Sequence, residues 1–213
     1  MTKHDSHAIA DVHHELHSHL PPEPALRAKA LESLLVEKGM VDSAAVDAWI
    51  EAYSEQIGPK NGARIIARSW VDAEFRARLL ADASEAITDL ELQQGHLIAI
   101  ENTAELHNLV VCTLCSCYPM GLLGMAPTWY KTAAYRSRSV REPRVVLDEF
   151  GVGLSADIRI KVWDSTAELR YMVIPQRPAG TDGWDEEKLA ELVTRNSMIG
   201  TERDLSKYVG AQS

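Results

Sequence analysis

The stretch Val111-Cys112-Thr113-Leu114-Cys115-Ser116-Cys117-Tyr118 is the most informative part of this 213-residue chain. Its three cysteines are the only ones in the sequence, and they lie within six residues. Cysteines that serve as small core residues would be scattered along the chain. A spacing this tight also disfavours adjacent disulfides and leaves one thiol over. Three soft sulfur ligands on one short segment, residues 112–117, therefore predict a transition-metal site, and we call this segment the cysteine motif.

The spacing of Cys115 and Cys117 predicts a particular coordination geometry. If both thiolates bind one ion, the amide nitrogens of Ser116 and Cys117 lie between them and can, once deprotonated, complete fused chelate rings. Two sulfurs and two nitrogens then form a roughly planar set, and Cys112 can reach the ion as an axial third thiolate. One further position stays open for water or substrate, which is typical of a catalytic rather than a structural metal site.

The ligand types narrow the choice of metal without fixing it. A structural zinc site has four side-chain ligands, so zinc would need a fourth residue. His107 is a candidate for that role, although it is also interpretable as a polar residue near the start of a strand. A tetragonal nitrogen and sulfur set suits cobalt, iron, nickel or copper, and amide ionisation favours a trivalent ion. Two hypotheses without metal stay open, namely three inert reduced cysteines or a thiol redox switch.

Periodicity divides the chain into a helical first part and a mixed second part. A first helix is predicted over 24–39. A second is predicted to begin at a cap formed by Asp42 or Ser43 and to end at Gly58-Pro59, and a third helical stretch, with a break near Asp72, is predicted over 60–80. After Gly95 the period changes, and the predicted elements are strands at 96–100 and 109–112, a pair of strands at 158–163 and 169–174, and helices at 128–137, 145–150 and 184–195. This order indicates an α+β fold in which an N-terminal helical segment precedes a layered mixed α/β domain that contains the cysteine motif.

Composition and charge suggest how the chain is organised and where it works. A histidine-rich tail over 1–23, interpreted as disordered or as a metal-capturing segment, precedes a helical segment at 24–90 that is a candidate for gripping a partner. A metal-binding domain at 91–205 and a tail at 206–213 follow. The net charge of −9 argues against nucleic acid as a partner. A polar N-terminus without a signal, no apolar run of membrane length and unpaired cysteines predict a cytoplasmic protein without a membrane span.

Segments on both sides of the cysteine motif also match a known pattern. Before it stand Asn61-Gly62-Ala63, Trp70-Val71-Asp72 and Glu101-Asn102-Thr103. After it stand Trp129-Tyr130-Lys131, Tyr135-Arg136-Ser137-Arg138, Arg141-Glu142-Pro143-Arg144, Val162-Trp163-Asp164, Leu169-Arg170-Tyr171, Leu192-Val193-Thr194-Arg195 and Met198-Ile199-Gly200. Together with the motif, these segments resemble the alpha subunit of nitrile hydratase, and the resemblance extends from about residue 24 to 204.

The resemblance implies a cofactor and a reaction. Thr113 and Tyr118 are similar to the cobalt type of the family, which implies one non-corrin cobalt(III) per chain, bound by Cys112, Cys115, Ser116 and Cys117. By the same resemblance Cys112 stays a thiolate, Cys115 is a cysteine sulfinic acid and Cys117 a cysteine sulfenic acid. The implied reaction hydrates a nitrile to an amide. The Cys117 sulfenate would act as the nucleophile or as the base that activates water, and the Ser116 hydroxyl would contact substrate or water.

Further residues match positions that surround the ligands in the family. Asp164, Arg170, Gln93 and Tyr118 are the candidates, although the alignment around Gln93 can slip by one residue. In relatives, arginines of a beta subunit balance the sulfur anions, since buried anions without counter-charges are costly. The resemblance thus implies an obligate heteromer with a beta subunit, either αβ or α2β2, that takes a small nitrile. Whether a separate activator loads the metal is left open.

The chain departs from the family pattern directly after the motif. It has Pro119-Met120-Gly121 where relatives usually have Pro-Trp-Pro, and Met125-Ala126-Pro127 where they have Leu-Pro-Pro. Met120 is therefore expected either to reshape the substrate pocket or simply to fill the same apolar volume. The nearest rival is the metal-binding subunit of thiocyanate hydrolase, which has a similar motif and also uses cobalt. Its relatives have a longer segment before the motif and a basic residue at the position of Met120. A non-catalytic metal carrier or redox sensor is the third hypothesis.

Overall fold

The computed structural model describes residues 23–112 and 117–210, except for the side chains of residues 24 and 54–56. The predictions for the histidine-rich tail and for residues 113–116 lie outside these ranges. The chain divides into two compact units, residues 1–50 and 51–213. The finer division into a helical segment, a metal-binding domain and two tails stays a prediction.

The described part of the first unit begins at residue 23 and contains two helices, as the sequence predicts. Helix α1 spans Glu23–Glu37 and helix α2 spans Ser43–Glu51. Between them Gly39 adopts a φ of 66°, a left-handed conformation that commonly ends a helix. Asp42 caps α2, because its Oδ1 accepts a hydrogen bond from the backbone N–H of Ala44 at 2.9 Å. Large apolar side chains of this unit remain exposed, among them Leu31, Leu34 and Met40.

The second unit opens with a run of helices that is interrupted at Asp72. A π-helix at Ala52–Ile57 leads into α3 (Gly58–Val71), and α4 (Ala73–Ala81), α5 (Ala83–Ala86) and a 3₁₀ turn at Ile87–Leu90 follow. The backbone N–H of Asp72 donates to Arg68 at the end of α3, and its side chain accepts from the N–H of Phe75 at 2.9 Å. Asp72 thus ends one helix and caps the next, which confirms the predicted break.

The described residues contain four strands, which form two parallel pairs. They are β1 (Leu97–Glu101), β2 (Leu106–Cys112), β3 (Arg159–Ser165) and β4 (Arg170–Ile174). β2 pairs with β3, and β1 pairs with β4. The two strands predicted near 158–163 and 169–174 therefore exist, but each forms its ladder with an earlier strand. A tight turn joins β3 to β4, with the N–H of Thr166 donating to the carbonyl of Leu169 at 2.8 Å.

The remaining helices are short. They are α6 (Met120–Leu123), a 3₁₀ turn at Thr128–Lys131, α7 (Ala133–Arg141), α8 (Pro143–Glu149), α9 (Glu186–Ala190), α10 (Arg195–Ile199) and α11 (Ser206–Val209). The prediction of one helix over 184–195 was wrong in extent. Thr194 instead forms a capping box with Ser197, which starts α10 as a separate helix. In the described ranges no helix is long and apolar enough to cross a membrane.

The core of the second unit joins the helices to the strands. Fully buried side chains of α3 and α4, including Ile65, Ile66 and Phe75, share one apolar cluster with buried residues of β1, β2 and β4. A smaller cluster formed by Ile100, Val110 and Val173 connects β1, β2 and β4. Because these two apolar clusters pack the strands together closely, the strand ends are held at fixed positions relative to one another.

Glycines let α6, the helix that directly follows the cysteine motif, lie close against α3. A Cβ on Gly62 would meet the carbonyl oxygen of Leu122 and the sulfur of Met198, both at 2.5 Å. Asn61 reinforces the contact, because its Nδ2 donates to the carbonyl of Gly121 at 3.0 Å. This close approach determines where the chain leaves the motif.

Replacing Gly62 by Ala tests this contact. In an ordinary helix interior the change would stabilise the protein by about 1 kcal/mol. Here we expect the free energy of unfolding to fall by about 2 kcal/mol, because the new Cβ clashes with backbone. Urea unfolding followed by circular dichroism measures the difference. Gly121→Ala is the control, since nothing lies within 4 Å of its added Cβ. An equal response in both variants would contradict the proposed clash.

Candidate metal centre

One edge of the strand pairs gathers most of the predicted site residues. Cys112 ends β2 and is paired in register with Ser165, which ends β3. The turn after β3 brings the chain back into β4, whose first residue, Arg170, is paired with Leu97 at the start of β1. The carboxyl ends of β2 and β3 therefore lie at the same edge as the amino ends of β1 and β4. We call this edge the motif edge.

The two described cysteines anchor the cysteine motif on both sides. Cys112 is partly buried at the end of a strand, and Cys117 is completely buried. Thr113, Cys115 and Ser116 lie outside the described residues, so the predicted chelate geometry stays a prediction. Fixed residues on both sides of the predicted ligands suit a rigid site.

Tyr118, directly after the motif, is a buried neutral phenol. Its hydroxyl donates to the carbonyl of Leu123 at 3.3 Å, and its ring meets that of Tyr130 edge-on at 5.1 Å between centroids. Burial raises the pKa of Tyr118 well above its usual value, and the nearby Arg195 only partly offsets this. Tyr118 thus forms part of a dry wall next to Cys117.

The described residues fit a sulfur-bound metal at the motif edge. Ser165 is completely buried, and its Oγ has no hydrogen-bond partner in the described part of the chain. A buried donor opposite Cys112 is what a ligating thiolate, a hydrogen-bond acceptor, would use. Among residues 23–112 and 117–210, no group of three His, Cys, Asp or Glu side chains could hold a metal elsewhere.

An ion pair that the sequence analysis did not predict lies beside Cys112. Arg136 on α7 donates through Nε and Nη2 to Oδ2 of Asp164, at 3.2 Å and 2.6 Å. Asp164 is paired in register with Val111, one residue before Cys112. The Asp164 carboxylate raises the pKa of Arg136, and Cys112 adds to this effect. Arg136 stands in a segment that resembles the family, which is the only signal that could have singled it out.

The other predicted residues lie around the same edge. Arg170 is partly buried, and its backbone N–H donates to the carbonyl of His96 at 2.8 Å. Gln93 is exposed in the segment that leads into β1. Met120 begins α6 with 38% of its surface exposed, and its N–H donates to the carbonyl of Tyr118 at 2.8 Å. The fold thus brings Asp164, Arg170 and Gln93 to the motif edge, while their roles stay predictions.

His107 is bound elsewhere and does not act as a fourth ligand. It is the second residue of β2, about 17 Å from Cys112 along an extended strand. Its Nε2 lies 2.7 Å from the carbonyl oxygen of Gly200, and Asn102 and Arg203 approach its Nδ1 at 3.4 Å. The alternative interpretation, a polar residue near the start of a strand, describes it correctly.

Comparison with known proteins identifies the family. A family model for the alpha chain of nitrile hydratase matches residues 22–202. The chain belongs to the nitrile hydratase alpha-chain family. A nitrile hydratase subunit alpha from Rhodococcus sp is 53% identical over 182 residues, covering 84% of this chain and 92% of that protein. The low-molecular weight cobalt-containing nitrile hydratase subunit alpha of Rhodococcus rhodochrous is 52% identical over 181 residues, covering 84% and 87%.

The fold and the rival hypothesis can be judged in the same way. A double mutant of the Fe-type nitrile hydratase from Comamonas testosteroni Ni1 superposes with a TM-score of 0.72 at 43% identity, covering 84% of this chain and 89% of that one. This confirms the predicted fold. The gamma subunit of thiocyanate hydrolase from Thiobacillus thioparus is 40% identical over 185 residues, covering 80% and 76%. It is a more distant relative than the nitrile hydratase subunits.

The buried His107 predicts a pH dependence of stability. Burial lowers its pKa to about 4 from 6.5; the Gly200 carbonyl opposes this shift and the Arg203 charge adds to it. Below pH 6.5 the unfolded chain binds a proton that the folded chain does not. Above pH 6.5 His107 therefore does not lower the free energy of unfolding. As the pH falls towards 4, this group lowers the free energy of unfolding by up to about 3 kcal/mol.

Urea unfolding between pH 4 and 7 measures this slope. His107→Gln removes the titrating group and should flatten the curve over that interval, whatever its effect on overall stability. An unchanged slope in this variant would show that other groups cause the acid sensitivity.

Proposed function

We propose that this chain is the metal-binding alpha subunit of a cobalt-containing nitrile hydratase, which adds water to a nitrile to form an amide. The main support is the sequence similarity to cobalt-containing alpha subunits, which extends over most of the chain. The motif would bind cobalt through the sulfurs of Cys112, Cys115 and Cys117 and the backbone nitrogens of Ser116 and Cys117. When bound, cobalt(III) supplies Lewis acidity towards a nitrile or water.

Each remaining side chain of the cysteine motif would have a separate role in the reaction. The oxidised side chain of Cys117 would present an oxygen that attacks the substrate or takes a proton from water. Because Cys117 is completely buried, this oxygen would act in surroundings of low dielectric, where its charge interacts strongly. The Ser116 hydroxyl would orient substrate or water by a hydrogen bond. The Cys115 sulfinate would accept hydrogen bonds from positively charged neighbours.

Cations at the motif edge would balance the sulfur anions. Arg136 is oriented by Asp164 beside Cys112, and Arg170 stands at the start of the neighbouring strand. Buried anions without counter-charges are costly, so these arginines favour the oxidised motif. Gln93 would add a neutral hydrogen-bonding group at the same edge. Since the chain itself supplies only part of the positive charge, the proposal includes arginines from a beta subunit.

A beta subunit is therefore the proposed obligate partner, in an αβ or α2β2 assembly in the cytoplasm. In the first unit, Leu31 is 61% and Met40 70% exposed. Contiguous exposed apolar side chains mark interaction surfaces. We assign the helical segment 24–90 a role in gripping the partner. Met120, at the start of α6, would line the substrate pocket and influence which nitriles enter.

Metal content and motif mass test this proposal directly. The chain is purified with its beta subunit from cobalt-supplemented cells, and we expect about one cobalt per alpha chain. Mass spectrometry of the motif peptide should find roughly three added oxygens over Cys115 and Cys117. Zinc or no metal, together with three unmodified thiols, would contradict the proposal. Assays with a nitrile and with thiocyanate on the same sample separate the two related activities, and we expect turnover of the nitrile.

Replacing Cys117 by Ser tests the role of its oxidised sulfur. We expect nitrile hydration to be lost, because serine cannot form the sulfenate oxygen. Cobalt content is measured in the same preparation, so that lost metal is distinguished from lost chemistry. Full activity in a cobalt-loaded Cys117→Ser variant would refute the assigned role.

A further inference from the structure

Ser165 combines complete burial with an unsatisfied hydroxyl. It ends β3, it has no exposed surface, and its Oγ lacks a hydrogen-bond partner among the described residues. Leaving a buried donor unpaired costs free energy, so such groups are rare and usually have a bound partner or a functional role. A serine at this position is therefore a candidate donor to an acceptor that is present in the working protein.

The register of the strands identifies that acceptor. Ser165 is the direct pairing partner of Cys112 in the parallel β2–β3 ladder. Side chains of residues paired across a parallel ladder lie on the same face of the sheet. The Ser165 hydroxyl and the Cys112 sulfur are therefore neighbours on one face, at the point where the cysteine motif begins.

A buried phenol, that of Tyr130, also lies near Ser165. Tyr130 is 2% exposed, and its ring lies 5.1 Å from that of Tyr118 and 6.0 Å from that of Trp129. Burial raises the pKa of Tyr130, the nearby Cys112 raises it further, and the Ser165 hydroxyl opposes both effects. Ser165 thus lies near the phenol without reaching hydrogen-bond geometry. Ser165 has no surface exposed to bulk solvent.

We propose that Ser165 is a positioning residue whose hydroxyl donates a hydrogen bond to the Cys112 sulfur when that sulfur is a metal-bound thiolate. The inference rests on the proposed function, since it requires metal at the motif. A neutral thiol is a weak acceptor, whereas an ionised acceptor forms a shorter and stronger bond. The bond orients the thiolate and reduces the electron density that it donates to the metal. Hydrogen bonds to ligating sulfurs are an established means of tuning a metal centre.

The chain contains a matched control for this serine. Ser139 on α7 is also completely buried, and its Oγ also lacks a partner in the described part of the chain. Its hydroxyl also lies near a buried phenol, that of Tyr135, whose pKa burial raises and Ser139 lowers. Unlike Ser165, it has a helical position and is not paired in register with a cysteine.

The experiment compares Ser165→Ala, Ser139→Ala and the unchanged chain, each purified with the beta subunit from cobalt-supplemented cells. In Ser165→Ala the sulfur-to-cobalt charge-transfer band should move to longer wavelength, because a thiolate without the hydrogen bond donates electrons more readily. Cobalt should also be lost to a chelator faster, by about tenfold or more. Ser139→Ala should match the unchanged protein in both measurements. Without metal, Ser165→Ala should unfold at the same or a higher urea concentration than the unchanged chain.

The outcomes separate this inference from the proposed function. If the unchanged complex contains cobalt and Ser165→Ala shows the same band and the same rate of cobalt loss, the inference is overturned and the proposed function stands. If the unchanged complex contains no cobalt, both are overturned. Equal shifts in Ser165→Ala and Ser139→Ala would show that the loss of any buried hydroxyl has this effect, and the inference would be overturned. If metal-free Ser165→Ala unfolds at a lower urea concentration than the unchanged chain, Ser165 has a hydrogen-bond partner that does not depend on metal, and the inference is overturned.

Discussion

The parallel pairing of β2 with β3 is the constraint on which the rest of the site depends. It places the last residue of β2, Cys112, opposite the last residue of β3, Ser165. The tight turn after Ser165 then returns the chain into β4 and brings Arg170 to the same edge. A shift of one residue in this register would turn every side chain of the strand to the opposite face. Leu109 and Val111, buried apolar residues on β2, make such a shift costly.

Charge is the second organising influence on the motif edge. Sulfur anions in a buried setting need donors and cations, and the fold supplies both on neighbouring elements. Arg136 approaches from α7 and is oriented by Asp164 on β3. Ser165 contributes a neutral donor, and the phenols of Tyr118 and Tyr130 form an apolar boundary. The surroundings of the predicted metal centre thus come from separate parts of the chain, whereas its predicted ligands come from one short segment.

Helix boundaries show why local patterns predicted some elements better than others. The break at Asp72 was predicted correctly because this one residue ends α3 and its side chain caps α4, so the signal is entirely local. The helix expected over 184–195 was too long, because its apolar periodicity continues through the turn that separates α9 from α10. There the competing signal was the capping box of Thr194 and Ser197, which was overlooked. The pairing partners of β3 and β4 were beyond prediction, since ladder partners depend on contacts more than 50 residues apart in sequence.

The sequence by itself determined the spacing of the three cysteines, the family and the α+β order of elements, because each of these depends on neighbouring residues or on segments that match directly in sequence. The role of the same cysteines as metal ligands stays a prediction. Asp164 and Arg170 were also proposed this way, since they stand in such segments, and their roles stay predictions. Only the tertiary structure decided that Arg136 lies against Asp164, that Ser165 lies opposite Cys112, and that His107 binds Gly200 rather than a metal. The physical reason is that hydrogen bonds, ion pairs and burial depend on distance in space, and residues far apart in the chain become neighbours only when the strands pair.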